Sequence, residues 1–309
     1  MTYSTPLKSK LNLTTDDVKQ EGKLMRLLAD LKAKILQPVP GEIAWHVQED
    51  DTTPEAALAA DWRSWPAFTQ RSVWSKKQGH TWFAAEIEVP EAAAGKTFVL
   101  RFSSQWQERP GSTDPQCLAY LDGRIAQAID GNHTEVVIMR DAVPGTRVTL
   151  HVDAFTFFDR PLAGFGVEYL VRNEVVEGLY HDLQTPFEVA SRLQQNDNRR
   201  HEIFNRVDRA LRALDRRGHG LTEDLAATIA EARAIADEIY ALQDTEVQPL
   251  ITAFGHTHID IAWLWRVLHT REKGGRSFAT ALTMMQEYPG FIFMYNQAVL
   301  YDFLKRDYP

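Results

Sequence analysis

Cysteine is almost missing from this sequence: Cys117 is the only one in 309 residues. No intrachain disulfide can form, and a reducing, cytoplasmic setting is the simplest expectation. Long apolar runs are missing too. No stretch reaches the roughly 18 apolar residues that mark a membrane-crossing helix. Met1–Lys10 carries two lysines but neither an apolar segment nor a small-residue cleavage site, which argues against a secretory signal. Basic charge is not in excess, since 34 Lys and Arg stand against 42 Asp and Glu, for a formal net charge of −8. Nucleic acid and anionic membranes both want a basic face, so neither is expected as a partner. No His-Glu-x-x-His string occurs, which removes the zinc hydrolases built on that helix. Internal repeats and low-complexity tracts are absent as well.

What is present is an ordinary globular composition, 44% hydrophobic and 25% charged, in a chain long enough for two or three domains. Helical spacing of Leu24, Leu27, Leu28, Leu31 and Ile35 predicts a helix from Thr15 to about Gln37. Thr15 is its N-cap, Asp16 and Asp17 lie in its first turn, and Pro38 and Pro40 stop it. From Pro54 to Arg172 the period becomes two. Trp82–Val89, Thr97–Phe102, Cys117–Leu121, Glu135–Met139, Arg147–Phe157 and Gly164–Val171 read as strands. The turn pairs Asp122-Gly123, Asp130-Gly131 and Pro144-Gly145 lie among them, the pattern of an antiparallel β-sandwich. Helical spacing then returns. Phe204, Val207, Leu211 and Leu214 form one stripe, closed by Gly218 and Gly220. A second helix starts at Thr222 with Leu225, Ile229, Ile235, Ile239 and Leu242 on its buried face. Pro249–Gly255 and Phe291–Tyr295 read as apolar strands, with helices at Arg276–Tyr288 and Ala298–Arg306. Strand, helix, strand, helix opens a parallel α/β domain, but two strands close no such core. The chain is therefore expected to be a fragment.

The residues richest in chemistry follow the first of those apolar runs: Gly255-His256-Thr257-His258-Ile259-Asp260, then Ile261-Ala262-Trp263-Leu264-Trp265. Ligands gather at strand ends in α/β folds. In an extended chain, residues two apart point the same way, so His256, His258 and Asp260 can converge. Imidazole nitrogen with carboxylate oxygen suits zinc and similar divalent ions, although a polar strand-end cluster without a metal has the same pattern. His269 reads as a solvated helix residue, and the remaining histidines form no second cluster.

His256–Trp265, Arg276-Ser277-Phe278-Ala279-Thr280, Glu287-Tyr288-Pro289 and Gln297 together resemble the opening of glycoside hydrolase family 38, the class II α-mannosidases of bacterial and cytosolic type. The resemblance covers about Leu250 to Pro309. More loosely, Leu121-Asp122-Gly123 and Asp130-Gly131-Asn132-His133 resemble the domain that precedes the catalytic one in that group. The resemblance implies that His258 and Asp260 are metal ligands, the metal being zinc, and that Trp263 lies beneath the sugar at the cleavage point. His256 is not carried over as a ligand. It also implies a nucleophilic aspartate, a later histidine ligand and a separate acid/base, none of them assigned to this chain. No catalytic residue is therefore placed within it.

Six of the eight tryptophans lie between Trp45 and Trp106 and are read as core packing before a sugar-stacking platform. Glu86 with Glu88, or Asp122 with Asp130, reads as strand-edge and turn acids before a carboxylate pair. Arg199-Arg200 and Arg216-Arg217 read as solvated helix faces. The expectation is a multi-domain α+β chain. It has an N-terminal helical segment (1–50), an antiparallel β-sandwich (54–172), a helical linker (177–245) and the first βαβα elements of a catalytic α/β domain (248–309). The expected partners are mannose-containing glycans, with homo-oligomerisation left open. The rival reading is a non-catalytic carbohydrate-binding or structural module.

Overall fold

The computed structural model describes residues 15–49, 52–69, 72–75, 77–103, 115–157, 161–218, 220–242 and 251–309. Trp106, Pro249 and Leu250, and the side chains of Thr15, Asp16 and Asp17, lie outside what is described. The chain begins with α1 (Thr15–Lys32), β1 (Leu36–Pro38), β2 (Trp45–Gln48), α2 (Pro54–Ala59), β3 (Ala67–Phe68) and β4 (Val73–Trp74). Next come β5 (Gly79–Glu88), β6 (Thr97–Ser103), β7 (Gln116–Leu121), β8 (Arg124–Ile129), β9 (Glu135–Met139), β10 (Arg147–Thr156), β11 (Leu162–Ala163) and β12 (Gly166–Arg172). Helices α3 (Glu174–Ala190), α4 (Asn198–Ala213), α5 (Glu223–Tyr240), α6 (Val267–Glu287) and α7 (Ala298–Asp307) complete it. The chain divides into two compact units, 1–39 with 170–248 and 40–169 with 249–309.

The first unit is helical. Leu24, Leu28 and Leu31 of α1 join Leu179, Leu183 and Phe187 of α3, Phe204, Val207 and Leu211 of α4, and Leu225 and Ile229 of α5 in one buried cluster. Each helix contributes residues three or four apart, the stripe a packed helix must bury. α5 starts where its sequence predicts, with the Thr222 hydroxyl accepting from the Leu225 amide at 3.1 Å. Leu242 falls beyond the end of α5 and is exposed. α1 stops at Lys32, short of the expected Gln37. The carbonyls of Lys34 and Ile35 are taken by Asn173, through its side-chain amide at 2.9 Å and its backbone N–H at 2.7 Å. Leu36–Pro38 then pairs antiparallel with Leu170–Arg172. Arg200 is fully buried, contrary to its reading as a solvated residue. Its guanidinium reaches the Ala190 carbonyl at 2.7 Å and Glu21 at 3.4 Å, and lies 4.5 Å from the Phe204 ring centre, which satisfies a charge that burial would otherwise penalise.

The second unit holds an antiparallel β-sandwich, and with the helices the fold is α+β. One sheet runs in the order β3-β2-β5-β10-β7-β8, and β12, β6 and β9 are neighbours in the other. Asp122 and Gly123 both take positive φ, 48° and 77°, and turn β7 into β8 with Leu121 opposite Arg124. That is the twist-matched hairpin turn the Asp-Gly pair signals. Trp45, Trp74 and Trp82 are buried, as the core reading expects. Phe83 is ringed by Trp45, Phe68, Trp74 and Phe165 at centroid distances of 5.8, 5.2, 4.9 and 4.5 Å.

Residues 251–309 add α6 and α7. Between the expected strands the described residues show one parallel bridge, Gly255 with Phe293, closed by hydrogen bonds of 2.6 Å to Ile292 and 2.9 Å from Met294. Parallel pairing is the weaker kind per residue, and among the described residues no longer ladder forms around this bridge. α6 begins nine residues before the expected Arg276 and runs through Gly274-Gly275. A Cβ at Gly275 would lie 2.6 Å from the Tyr308 ring, so glycine here admits a close approach and does not break the helix.

Candidate functional site

The segment after the bridge carries the candidate site. His258 Nε2 lies 3.1 Å from Asp260 Oδ1, so the two side chains turn to the same side and face one another. Both are open to solvent, at 79% and 44% side-chain exposure. Ile259 between them points inward and joins Tyr295 and Leu300 in a small apolar cluster. The alternation expected of an extended chain is thus present without a regular strand. His256 is used differently. Its Nδ1 bonds the Met294 carbonyl at 2.9 Å and its ring stacks on Tyr295 at 5.5 Å, so it braces the bridge.

Trp263 is 67% exposed and stands edge-on to Trp265, 5.7 Å away at 86°. Trp265 is itself held, with Lys273 over its ring at 4.7 Å and its indole N–H donating to Thr270 at 3.0 Å. Burial, and then the charge of Arg276, hold the Lys273 amine below its usual range. Thr270 is fully buried in the first turn of α6, and its hydroxyl also meets the Asp260 carbonyl and the Ala262 amide. Nothing in the sequence marks it, because a lone threonine in a helix matches no motif. His269, expected in solvent, is buried against the rings of Phe155 and Phe157 at 5.2 and 5.9 Å.

A cleft of about 540 Å3 opens beside His256 and His258, with Lys273 and Arg276 on its α6 side and Asp130 and His133 on its sandwich side. Asp130 Oδ1 accepts from the Asn132 and His133 amides at 2.7 and 2.9 Å. Burial alone would raise its carboxyl, but the hydrogen bonds from His133 and the backbone hold it below the usual range. The other acid pair considered in the sequence is spent on arginines. Glu86 binds Arg63 and Arg147, and Glu88 binds Arg147.

Among the described residues no group of three or more His, Cys, Asp or Glu side chains comes together to hold a metal. Two donors do meet, and their spacing suits one. Ligands bound at about 2.0–2.2 Å in tetrahedral array stand about 3.3 Å apart, close to the 3.1 Å between His258 and Asp260.

Two stretches of the chain match known protein families. Residues 248–309 match the model of the glycosyl hydrolases family 38 N-terminal domain, and residues 40–156 match the alpha-mannosidase jelly roll domain. Alpha-mannosidase 2C1 of Mus musculus is 27% identical over 251 residues, covering 74% of this chain and 22% of that protein. Alpha-mannosidase G of Dictyostelium discoideum is 30% identical over 154 residues, covering 49% of this chain and 13% of that protein. The chain thus spans about a fifth or less of the length of these relatives. Among solved structures, a beta-glucuronidase from an uncultured Clostridium sp. covers 46% of this chain and 30% of its own at 15% identity and a TM-score of 0.34, too little to carry an argument. The jelly-roll match and the family 38 match fall in one chain in that order, and in both stretches the chain is similar to the N-terminal region of the family 38 α-mannosidases.

Proposed function

We propose that this chain is the N-terminal region of a zinc-dependent, retaining α-mannosidase that hydrolyses α-linked mannose from glycans in the cytoplasm. The observation that carries the reading is the facing pair His258 and Asp260, 3.1 Å apart, inside the family-matched segment. Imidazole and carboxylate are the donors zinc takes. A bound ion would supply Lewis-acid polarisation of sugar hydroxyls, the role a metal plays when it orients a substrate. His258 offers Nε2 and Asp260 its carboxylate, and both are solvent-accessible to an incoming ion. Trp263 presents an open indole face, which suits the C–H side of a pyranose. Retaining glycosidases use two carboxyl groups about 5–5.5 Å apart, and the reading assigns both to residues outside 1–309. Alone, the 309-residue chain is expected to be inactive and to bind zinc weakly, because two donors rarely hold what four hold.

The test is an assay of this chain and of a longer form of the protein on an aryl α-mannoside with added zinc. Activity is expected in the longer form only, with a loss of at least about a hundredfold in His258→Ala and in Asp260→Ala. Robust turnover by the short chain would overturn the assignment, since a carboxyl pair would then lie within it. Inactivity of both forms on every α-mannoside would favour a non-catalytic carbohydrate-binding module.

A further inference from the structure

Two sets of contacts converge on the first turns of α6, and neither uses the side chains of the facing pair. The first is the Thr270 hydroxyl. A hydroxyl has one proton to give and two lone pairs to receive with. Thr270 uses all three, donating to the Asp260 carbonyl at 3.3 Å and accepting from the Ala262 amide at 3.1 Å and the Trp265 indole N–H at 3.0 Å. These partners bracket the arc on which Asp260 and Trp263 sit. Within the arc, Ala262 has φ 58°, in the left-handed region that a residue with a Cβ avoids. Such a conformation persists only where its surroundings impose it. The hydrogen bond that ends on the Ala262 amide is one such restraint.

The second set fixes the helix turn that carries Thr270. His80 of β5 bridges Asp153 of β10, through Nδ1 at 2.7 Å, and Glu272 of α6, through Nε2 at 3.4 Å. All three side chains are largely buried. Arg276 of α6 donates to Gln116 Oε1 of β7 at 2.8 Å and lies 5.9 Å from the Phe155 ring centre. His269, the residue before Thr270, packs on Phe155. The start of α6 is therefore seated on the sandwich by an ion triad, a hydrogen bond and ring contacts.

We infer that Thr270 is a positioning residue that holds the Asp260–Trp265 arc in its site geometry, and that His80 fixes the helix turn from which it acts. The jelly roll then serves the site at one remove, through α6. The inference rests on the α-mannosidase reading for the purpose of the arc, and on the contacts alone for how the arc is held.

The experiment is amide hydrogen exchange on the 309-residue chain, read at Ala262, with Phe83 in the sandwich core as reference. Thr270→Val keeps the shape and removes all three hydrogen bonds, so exchange at Ala262 is expected to speed up roughly tenfold or more while Phe83 is unchanged. Thr270→Ser keeps the hydroxyl and should stay within about threefold of the parent. His80→Gln should accelerate Ala262 by a smaller factor than the valine variant. Equal Ala262 rates in the parent and Thr270→Val overturn the positioning role. So do a serine variant as fast as the valine one, which points to volume, and parallel acceleration at Phe83, which points to global unfolding. An unchanged Ala262 rate in His80→Gln overturns the part assigned to the sandwich. An inactive longer protein would sink the mannosidase reading and leave these rates as they are. An active one with flat exchange would sink the positioning role alone.

Discussion

The sandwich and the segment 251–309 share one compact unit but are built on different terms. In the sandwich the large side chains turn inward: Trp82, Phe83, Phe98, Phe102 and Phe165 are all at 0% exposure. In the later segment Ile251, Leu264 and Trp263 stand 81%, 74% and 67% exposed, and the apolar cluster centres on Ile259, Tyr295 and Leu300. The sandwich buries most of its core within itself, and Ala279 of α6 and Tyr308 join Trp82, Leu118 and Tyr120 in one apolar cluster, but the segment's hold on the sandwich also has a polar part. Arg276 reaches Gln116, and the Thr283 hydroxyl donates to the Ala126 carbonyl at 2.7 Å. Apolar burial stabilises through area removed from water, and a polar seam through satisfied partners, so the two regions should answer differently to the same perturbation.

The largest expected effect is in the sandwich. Phe83→Ala removes a ring with four aromatic neighbours and no exposure, and should cost about 3–5 kcal/mol in urea unfolding. A loss under about 1 kcal/mol would mean that the core is not where the sandwich draws its stability. The polar seam should show itself through pH. Burial alone would lower the His80 imidazolium, but hydrogen bonds and charge from Asp153 and Glu272 outweigh it and raise the group to about 10. The folded value then lies above the ordinary one of about 6.5, so the contribution is fully present below pH 6.5 and is lost as pH rises towards 10. Stability should fall across that window by up to about 1.4 kcal/mol per pH unit, and this slope should flatten in His80→Gln. Equal slopes in the two proteins would show that the triad does not hold the imidazolium. The smallest effect belongs to the exposed side of the segment. Leu264→Ser should change unfolding free energy by no more than about 0.5 kcal/mol, and a loss comparable to that of Phe83→Ala would erase the contrast between the regions.

How much of this was legible in the sequence follows the range of the interactions. The sandwich strands were readable because alternation and turn chemistry are local, and the Asp122-Gly123 hairpin shows the rule directly. The same-side approach of His258 and Asp260 followed from a two-residue spacing, even though the strand expected to carry them is a single bridge. What the sequence hid is long-range or depends on one atom. Nothing local says that α1 shares a core with α3, α4 and α5, or that Arg200 would find Glu21 across 179 positions. α6 begins nine residues before the Arg276 at which its helical spacing was read, and Tyr308 lying against Gly275 is a partner no local pattern announces. Thr270 and the His80 triad carry no spacing signal, because their partners come from other elements.

The lone cysteine, first noticed as a scarcity, gives the chain a built-in gauge. Cys117 is wholly buried in β7, with Ala154 of β10 on one flank and Ile129 of β8 on the other. A thiol reagent can touch it only when that strand leaves its neighbours, so the labelling rate under native conditions counts openings of the sheet. With no second thiol in the sequence, that clock times a single event.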